Sequence, residues 1–255
     1  MTWLKVNNLS MDIPILGEKS LRRTLVENSL GGNINNARNQ RISIRALDNI
    51  SFQLNTGDRL AILGHNGAGK TSLLRALAGI YKPRTGMIEH SGKLIPLFNM
   101  SLGIEPDLTG YENIFIISTF MGMEQEEIKR KIDDIITFTD LGDFIYLPVK
   151  TYSAGMLTRL SFAVATSTEP NILLLDEQIG AGDSNFTHKV EKRLEGFYSE
   201  IDIIILASHS NQLLKKICNK GMILDKGKIA AYGEINTIVH KYENNSFQEQ
   251  KLAAI

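Results

Sequence analysis

Eight residues from Gly64 to Thr71, GHNGAGKT, join three glycines to a lysine and a hydroxyl at the spacing Gly-x4-Gly-Lys-Thr. An apolar stretch precedes them and a helical pattern follows, which is the setting a phosphate-binding loop requires. Gly64, His65, Asn66, Gly67, Ala68 and Gly69 can curl their backbone N–H groups round a β-phosphate. Lys70 can reach the β- and γ-phosphates, Thr71 offers a hydroxyl to Mg²⁺, and Ser72 follows in the same helical turn. A second candidate is NILLLDE, Asn171 to Glu177, an apolar run ending in two carboxylates. Asp176 at the strand tip can hold Mg²⁺ through water, and Glu177 can polarise an attacking water. His209, in LASHS, stands just past another apolar run, where it can contact a γ-phosphate and orient the water. The third candidate is a Ser-Ala-Gly turn, Ser153, Ala154 and Gly155, opening a helix whose Leu157, Leu160 and Val164 recur at helical spacing. A hydroxyl that caps free N–H groups and a glycine that allows close approach make a helix start that attracts anions.

The elements that must position these residues can be read from the pattern. Trp3 to Val6, Ile42 to Leu54, Asp58 to Leu63, Ile172 to Leu175 and Ile201 to Ala207 read as strands, with TGMIEHSGK and LIPLF returning to strands after the first helix. Helices are expected at Thr71 to Ile80, from Gly110, through EQEEIKRKIDDIITFT with Ile128, Ile132, Ile135 and Ile136 inside, near Asn185 to Tyr198, and from Asn211. Thr109 followed by Glu112 is a capping-box signature for the helix at Gly110. GMILDKGKIAAYGE reads as a hairpin around Asp225–Gly227, and the tail 243–255 is polar. Strands and helices alternate in the second half, so the fold class is α/β with a parallel sheet. In such a sheet the strand C-terminal ends share one edge, where ligands bind.

Composition narrows the function. Lys plus Arg equals Asp plus Glu at 28 each, which argues against a sequence-independent nucleic-acid binder. One cysteine, Cys218, cannot form an internal disulfide and suits a reducing compartment. The N-terminus has no apolar signal core, and no apolar run reaches a membrane-spanning length.

Taken in this order, the motifs resemble the nucleotide-binding subunit of an ATP-binding cassette (ABC) transporter over almost the whole chain. The resemblance implies a P-loop NTPase cassette: a RecA-like parallel-sheet core, an antiparallel β subdomain and a helical subdomain at about 107–168, within one domain at 1–242. It also implies ATP and Mg²⁺ as ligands. YSAGM, Tyr152 to Met156, stands at the position of the family's signature motif, and GAGD, Gly180 to Asp183, matches the loop that crosses the dimer interface. Two copies of the chain would then clamp two ATP molecules, each between Gly64–Thr71 of one copy and Ser153–Gly155 of the other.

YSAGM, the G-x-x-P-x-L-T-G-x-E-N pattern from Gly103 to Asn113, and DEQIGAGD narrow the resemblance to the ATPase subunits of bacterial polysaccharide exporters. That group moves O-antigen, capsule or teichoic acid chains on lipid carriers. It implies a peripheral position at the cytoplasmic face of the inner membrane, two copies of a separate permease, and a lipid-linked glycan as load, with no nucleic acid. Met156 stands where many cassettes have Gln, and Asn99 lies near the usual glutamine that senses Mg²⁺ and the membrane partner. No aromatic residue is placed to stack on adenine, and Ile13 is the nearest candidate by position. The helical stretch Asp107 to Phe138 would hold the socket for the permease, with Tyr111, Ile114 and Phe115 as lining or core residues. An insertion at about 17–41 reads either as a solvated loop with a surface helix or as an amphipathic helix at the membrane surface, with Arg22 and Arg23 toward a diphosphate. The alternatives are a drug or small-lipid exporter ATPase, a soluble cassette, and a non-hydrolysing regulatory subunit. Intact Lys70, Asp176, Glu177 and His209 weigh against the last.

Overall fold

The computed structural model describes residues 1–14, 43–98, 103–176 and 184–244. The 17–41 insertion, Asn99, Glu177 and the Gly180–Asp183 loop therefore lie outside the described residues, as does the tail beyond 244.

Among the described residues, nine strands form two sheets. β1 (Trp3–Pro14), β2 (Ser43–Asn55) and β4 (Thr85–His90) make an antiparallel sheet in the order β2-β1-β4. The larger sheet has the order β5-β6-β7-β3-β8-β9. Its strands are β3 (Arg59–Leu63), β5 (Leu94–Pro96), β6 (Ile172–Asp176), β7 (Ile203–Ala207), β8 (Lys220–Asp225) and β9 (Lys228–Glu234). All its pairings are parallel except β8 with β9, the expected hairpin. The helices are α1 (Lys70–Leu77), α2 (Gly110–Phe120), α3 (Gln125–Thr139), α4 (Ala154–Ala165), α5 (Ser184–Ser199), α6 (Asn211–Ile217) and α7 (Ile235–Glu243).

The central strands are apolar throughout because both their faces are covered. In β6, Ile172 and Leu174 join the core formed with α1 and the antiparallel sheet, where Leu4, Leu9, Ile50, Leu54, Leu73 and Leu74 are fully buried. Leu173 and Leu175 point the other way, into a core with Phe197 of α5, Leu214 of α6 and Ile235, Ile238 and Val239 of α7. Period-two alternation thus sorts one continuous apolar run onto two faces.

A third core belongs to the helices. Ile114 and Ile117 of α2, Ile128, Ile132 and Ile135 of α3, and Leu160 and Val164 of α4 pack together. Ile136 and Leu157 pack only partly buried against this core. Thr109 caps α2 as the sequence predicts: its hydroxyl accepts from the Glu112 N–H at 3.2 Å, and Glu112 accepts from the Thr109 N–H at 2.8 Å. Buried Asn113 accepts from the Glu105 N–H at 2.8 Å and donates to the carbonyls of Glu105, Leu108 and Thr109. The Thr-Gly-x-Glu-Asn pattern is therefore a device that fixes the loop leading into α2.

Helix α7 was not anticipated. Its signal was present: Glu234 accepts from the Thr237 N–H at 3.0 Å as a cap, and Ile235, Ile238 and Val239 form a short apolar stripe. Two 3-10 turns, Gly142–Tyr146 and Val149–Thr151, were also unforeseen. Helix α1 stops three residues short of the expected Ile80, and β7 starts at Ile203 because Ile201 and Asp202 form the turn that enters it.

The helical core is tied to the sheet core by Arg193 of α5. Its guanidinium donates to Thr166 Oγ1 at 2.9 Å, Ser167 Oγ at 2.8 Å and Asp134 at 2.7 Å, and lies 4.5 Å from the Phe138 ring centroid. Phe138 in turn stacks on Phe162 of α4, with centroids 5.8 Å apart. Replacing Arg193 by Ala is expected to cost about 2 kcal/mol in chemical denaturation, because several hydrogen bonds and a cation–π contact go together. A second expectation concerns Cys218, which is 6% exposed and whose thiol burial pushes up to about 12. It is protonated at pH 8 and shielded, so alkylation by iodoacetamide should proceed only as fast as the protein opens.

Candidate functional site

β6, β7 and β3 are neighbours and run parallel, so their C-terminal ends meet on one edge. The residues that follow β3, end β6 and follow β7 are Gly64, Asp176 and His209, which the sequence spreads over nearly 150 positions. The edge opens into a cleft of about 750 Å³. His65, Asn66, Gly67, Gly69, Lys70, Thr71 and Ser72 line it, together with Asp176 and His209.

The loop's glycines have specific causes. A Cβ on Gly64, whose φ is 152°, would stand 2.6 Å from the Leu224 carbonyl oxygen. No side chain caps α1 at Gly69, and its first turn holds no acidic residue. A helix start with neither a side-chain cap nor an acidic residue suits an anion, which the helix dipole favours there. The Lys70 ammonium folds back on the loop, donating to the carbonyls of Gly64 at 2.5 Å and His65 at 3.3 Å. The Thr71 hydroxyl donates to Asp176 Oδ2 at 3.1 Å, joining the start of α1 to the end of β6. Ala68 is different: its side chain is fully buried in the main core, and its carbonyl accepts from the Gly227 N–H at 2.9 Å. Gly64 likewise lies behind the lining surface.

The other end of the cleft is apolar. Ile13 lines it beside Ile44 and Ala46, and Ile13 and Ile44 are direct cross-strand partners in β1 and β2. Ile44 is 59% exposed, a large apolar side chain offered to the cleft. Ile13 is where position alone placed it; Ile44, Ala46, Arg45, Lys226 and Gly227 were not anticipated, since only the folded β2 and the β8–β9 turn bring them here. Arg45 is held by Asp12 at 2.5 Å and Asp48 at 3.2 Å. Arg84 and Arg45 together hold the Asp12 carboxyl below the usual carboxylate range. These exposed pairs fix the rim's geometry more than its stability.

Ser153, Ala154 and Gly155 are not part of this cleft. They are exposed at the start of α4, where Ser153 Oγ accepts from the Met156 N–H at 3.2 Å. The preceding Tyr152 donates its hydroxyl to the Phe144 carbonyl at 2.7 Å, anchoring the turn to the first 3-10 segment. A Cβ at Gly110 would lie 2.2 Å from that hydroxyl, so α2 begins with glycine where Tyr152 docks.

Comparison with known proteins agrees with this geometry. Residues 47–180 match the family model described as ABC transporter. The chain is 46% identical over 231 residues to the O-antigen export system ATP-binding protein RfbE of Yersinia enterocolitica, covering 90% of this chain and 97% of that one. It is 40% identical over 198 residues to the teichoic acids export ATP-binding protein TagH of Bacillus anthracis, covering 78% of this chain but only 36% of TagH. Among solved structures, a dimeric post-hydrolysis state of the ATP-binding cassette MJ0796, bound to ADP and Pi, superposes with a TM-score of 0.65. It is 19% identical, over 91% of this chain and 98% of that one, and shares the fold.

Lys70 is the cation of the glycine loop that lines the cleft. Lys70→Ala is expected to weaken binding of a nucleoside triphosphate by at least about tenfold in calorimetric titration, through loss of a charge-assisted contact. The melting temperature of the free protein should stay within a few degrees.

Proposed function

The chain belongs to the ABC transporter family, and from that premise we propose that it is the ATP-hydrolysing subunit of an exporter for a lipid-linked polysaccharide of the O-antigen kind. The observation that carries the load assignment is the 46% identity to the Y. enterocolitica O-antigen protein, which runs through 97% of that protein's length. The similarity to a teichoic acid export protein supports the same class of polymer.

Catalysis in this reading is positioning and charge stabilisation. The uncapped start of α1 and the loop N–H groups hold the β-phosphate, and Lys70 moves from its loop carbonyls to the β- and γ-phosphate oxygens. Thr71 and Asp176 set a hydroxyl and a carboxylate oxygen 3.1 Å apart, a hard-oxygen pair that suits Mg²⁺. Bound Mg²⁺ would share the charge on the phosphate oxygens. His209 hydrogen-bonds the γ-phosphate from the end of β7, and Glu177, just past Asp176, polarises the water.

The exposed Ser153–Gly155 turn completes the site from a second copy. Its absence from the chain's own cleft supports this, as does the dimeric state of the MJ0796 cassette. ATP then adds contacts across the dimer and closes it, and hydrolysis removes the interaction that favoured closure. The permease, two copies in the assembly, docks on the helical region. Phe144, Tyr146 and Leu147 are exposed there, and Tyr146 stacks on Tyr111 with centroids 6.0 Å apart. Among the described residues no helix is long and apolar enough to cross a membrane, which fits a motor that acts through such a partner.

The test is made in the source cell with Glu177→Gln. The expected outcome is loss of ATP turnover, accumulation of finished lipid-linked glycan inside the cell and a bare surface. Normal surface glycan would leave the ATPase in place but overturn the polysaccharide load in favour of a drug or small lipid.

A further inference from the structure

We infer that Lys226, at the tip of the β8–β9 hairpin, is a further nucleotide-binding residue that meets the α-phosphate. The inference rests on the nucleotide reading of the cleft. Four non-glycine residues among those described have left-handed backbone: Asn8, Asn49, Asp140 and Lys226. Asn and Asp tolerate that region because their short polar side chains bond locally; lysine has no such compensation. Lys226 has φ 48° and Gly227 φ 78°, the two positive values of a type I′ turn, whose first position favours Asn, Asp or Gly. A residue held where its backbone is disfavoured points to a role outside the turn itself.

Its surroundings show where that role is. Lys226 is exposed and lines the phosphate cleft. The turn is wedged between the cleft's two ends. The Gly227 N–H donates to the Ala68 carbonyl of the phosphate loop at 2.9 Å, and the Gly227 carbonyl accepts from the Asp48 N–H of β2 at 2.8 Å. A Cβ on Gly227 would stand 2.6 Å from the Ala46 carbonyl oxygen, so turn and strand are in close contact. Asp225 adds a tie to His65 at 3.3 Å. Phosphate loop on one side, Ile13, Ile44 and Ala46 on the other: a nucleotide laid along this cleft carries its α-phosphate past the turn.

The charges agree. Arg45 also lines the cleft, but its guanidinium is held by Asp12 and Asp48. Lys228, two residues on, pairs with Asp48 at 3.0 Å. Among the described residues no carboxylate is paired with Lys226, so its ammonium is the cation this wall can offer an anion.

Lys226→Asn separates function from folding, because Asn suits the turn better than Lys while removing the charge. Binding of ATP, ADP and adenosine is measured by calorimetry on the full chain, alongside the melting temperature without nucleotide. The expected result is a melting temperature equal to or above wild type, with ATP and ADP each weakened about five- to tenfold, and adenosine unchanged. Lys226→Arg should restore most of the affinity. ATP binding within twofold of wild type overturns the inference, and so does a loss confined to ATP, which would place the ammonium at the γ-phosphate. If the wild-type chain itself bound no ATP, the failure would be of the cassette reading rather than of Lys226 alone.

Discussion

The structure is organised around a helix start that no side chain caps. Helix α1 starts without a side-chain cap and without an acidic first turn, in a protein that caps α2, α4, α6 and α7 with side chains. Unpaired donors at a helix start are costly unless an anion or water meets them. Everything near α1 keeps those donors in place. The core fixes the helix from below through Leu73 and Leu74, Gly64 lets the loop pass under the Leu224 carbonyl, and Gly227 holds the Ala68 carbonyl from behind. Asp176 reaches Thr71 from the neighbouring strand. The loop is anchored from behind through the Ala68 carbonyl, and Lys70 folds back onto its Gly64 and His65 carbonyls.

A second helix start, that of α4, is treated in the opposite way. Ser153 caps it, Tyr152 anchors it, and it stands exposed on a group of helices with its own core. One uncapped helix start is therefore built into the sheet, and a capped, exposed one is carried on a body with its own core. Among the described residues the two bodies meet through Ala165 and Met121 against the sheet core, through the small cluster of Phe162 and Val190 with Phe138 and Leu194 against it, and through the polar contacts of Arg193. Lys131 adds bonds to the Ser167 carbonyl and Glu169 on the helical side.

Much of this was legible in the sequence where local chemistry decides structure. The Gly-x4-Gly-Lys-Thr spacing, the Thr109–Glu112 box and the apolar runs of β6 and β7 each carry their own cause, and the folded chain places them as read. What escaped were features set by tertiary contact. Ile44 and Arg45 look like ordinary members of an alternating strand, and only pairing of β2 with β1 shows that they face the cleft. Asp225-Lys226-Gly227 announces a hairpin but not its neighbour. Helix α7 is short, and its three apolar residues are helical only because a core waits for them. Asn113 read as part of a family pattern; its purpose, four bonds to the loop before α2, needed the fold.

In the proposed reading, the polar part of the seam between the two bodies bears on how work leaves the cassette. A broad apolar interface between the two bodies would resist rotation, because sliding packed side chains opens cavities at each step. Hydrogen bonds from a guanidinium can instead be exchanged for others, or for water, at smaller cost. Arg193 is suited to this: it bonds two hydroxyls and a carboxylate and stacks on a ring, so several alternative partners lie within reach of one flexible side chain. Val190 and Arg193 lie about two to three turns into α5, which begins at Ser184, seven residues after Glu177 in the sequence. In the proposed reading, Glu177 and the residues that hold the helical body are thus joined by one short segment of chain. A closure that repositions the segment must also move α5 against α4. In the proposed reading, coupling of hydrolysis to the membrane partner then requires no long relay, only that α4, anchored through Tyr152 beside the exposed Phe144 and Tyr146, turn as one piece with the surface proposed for the partner.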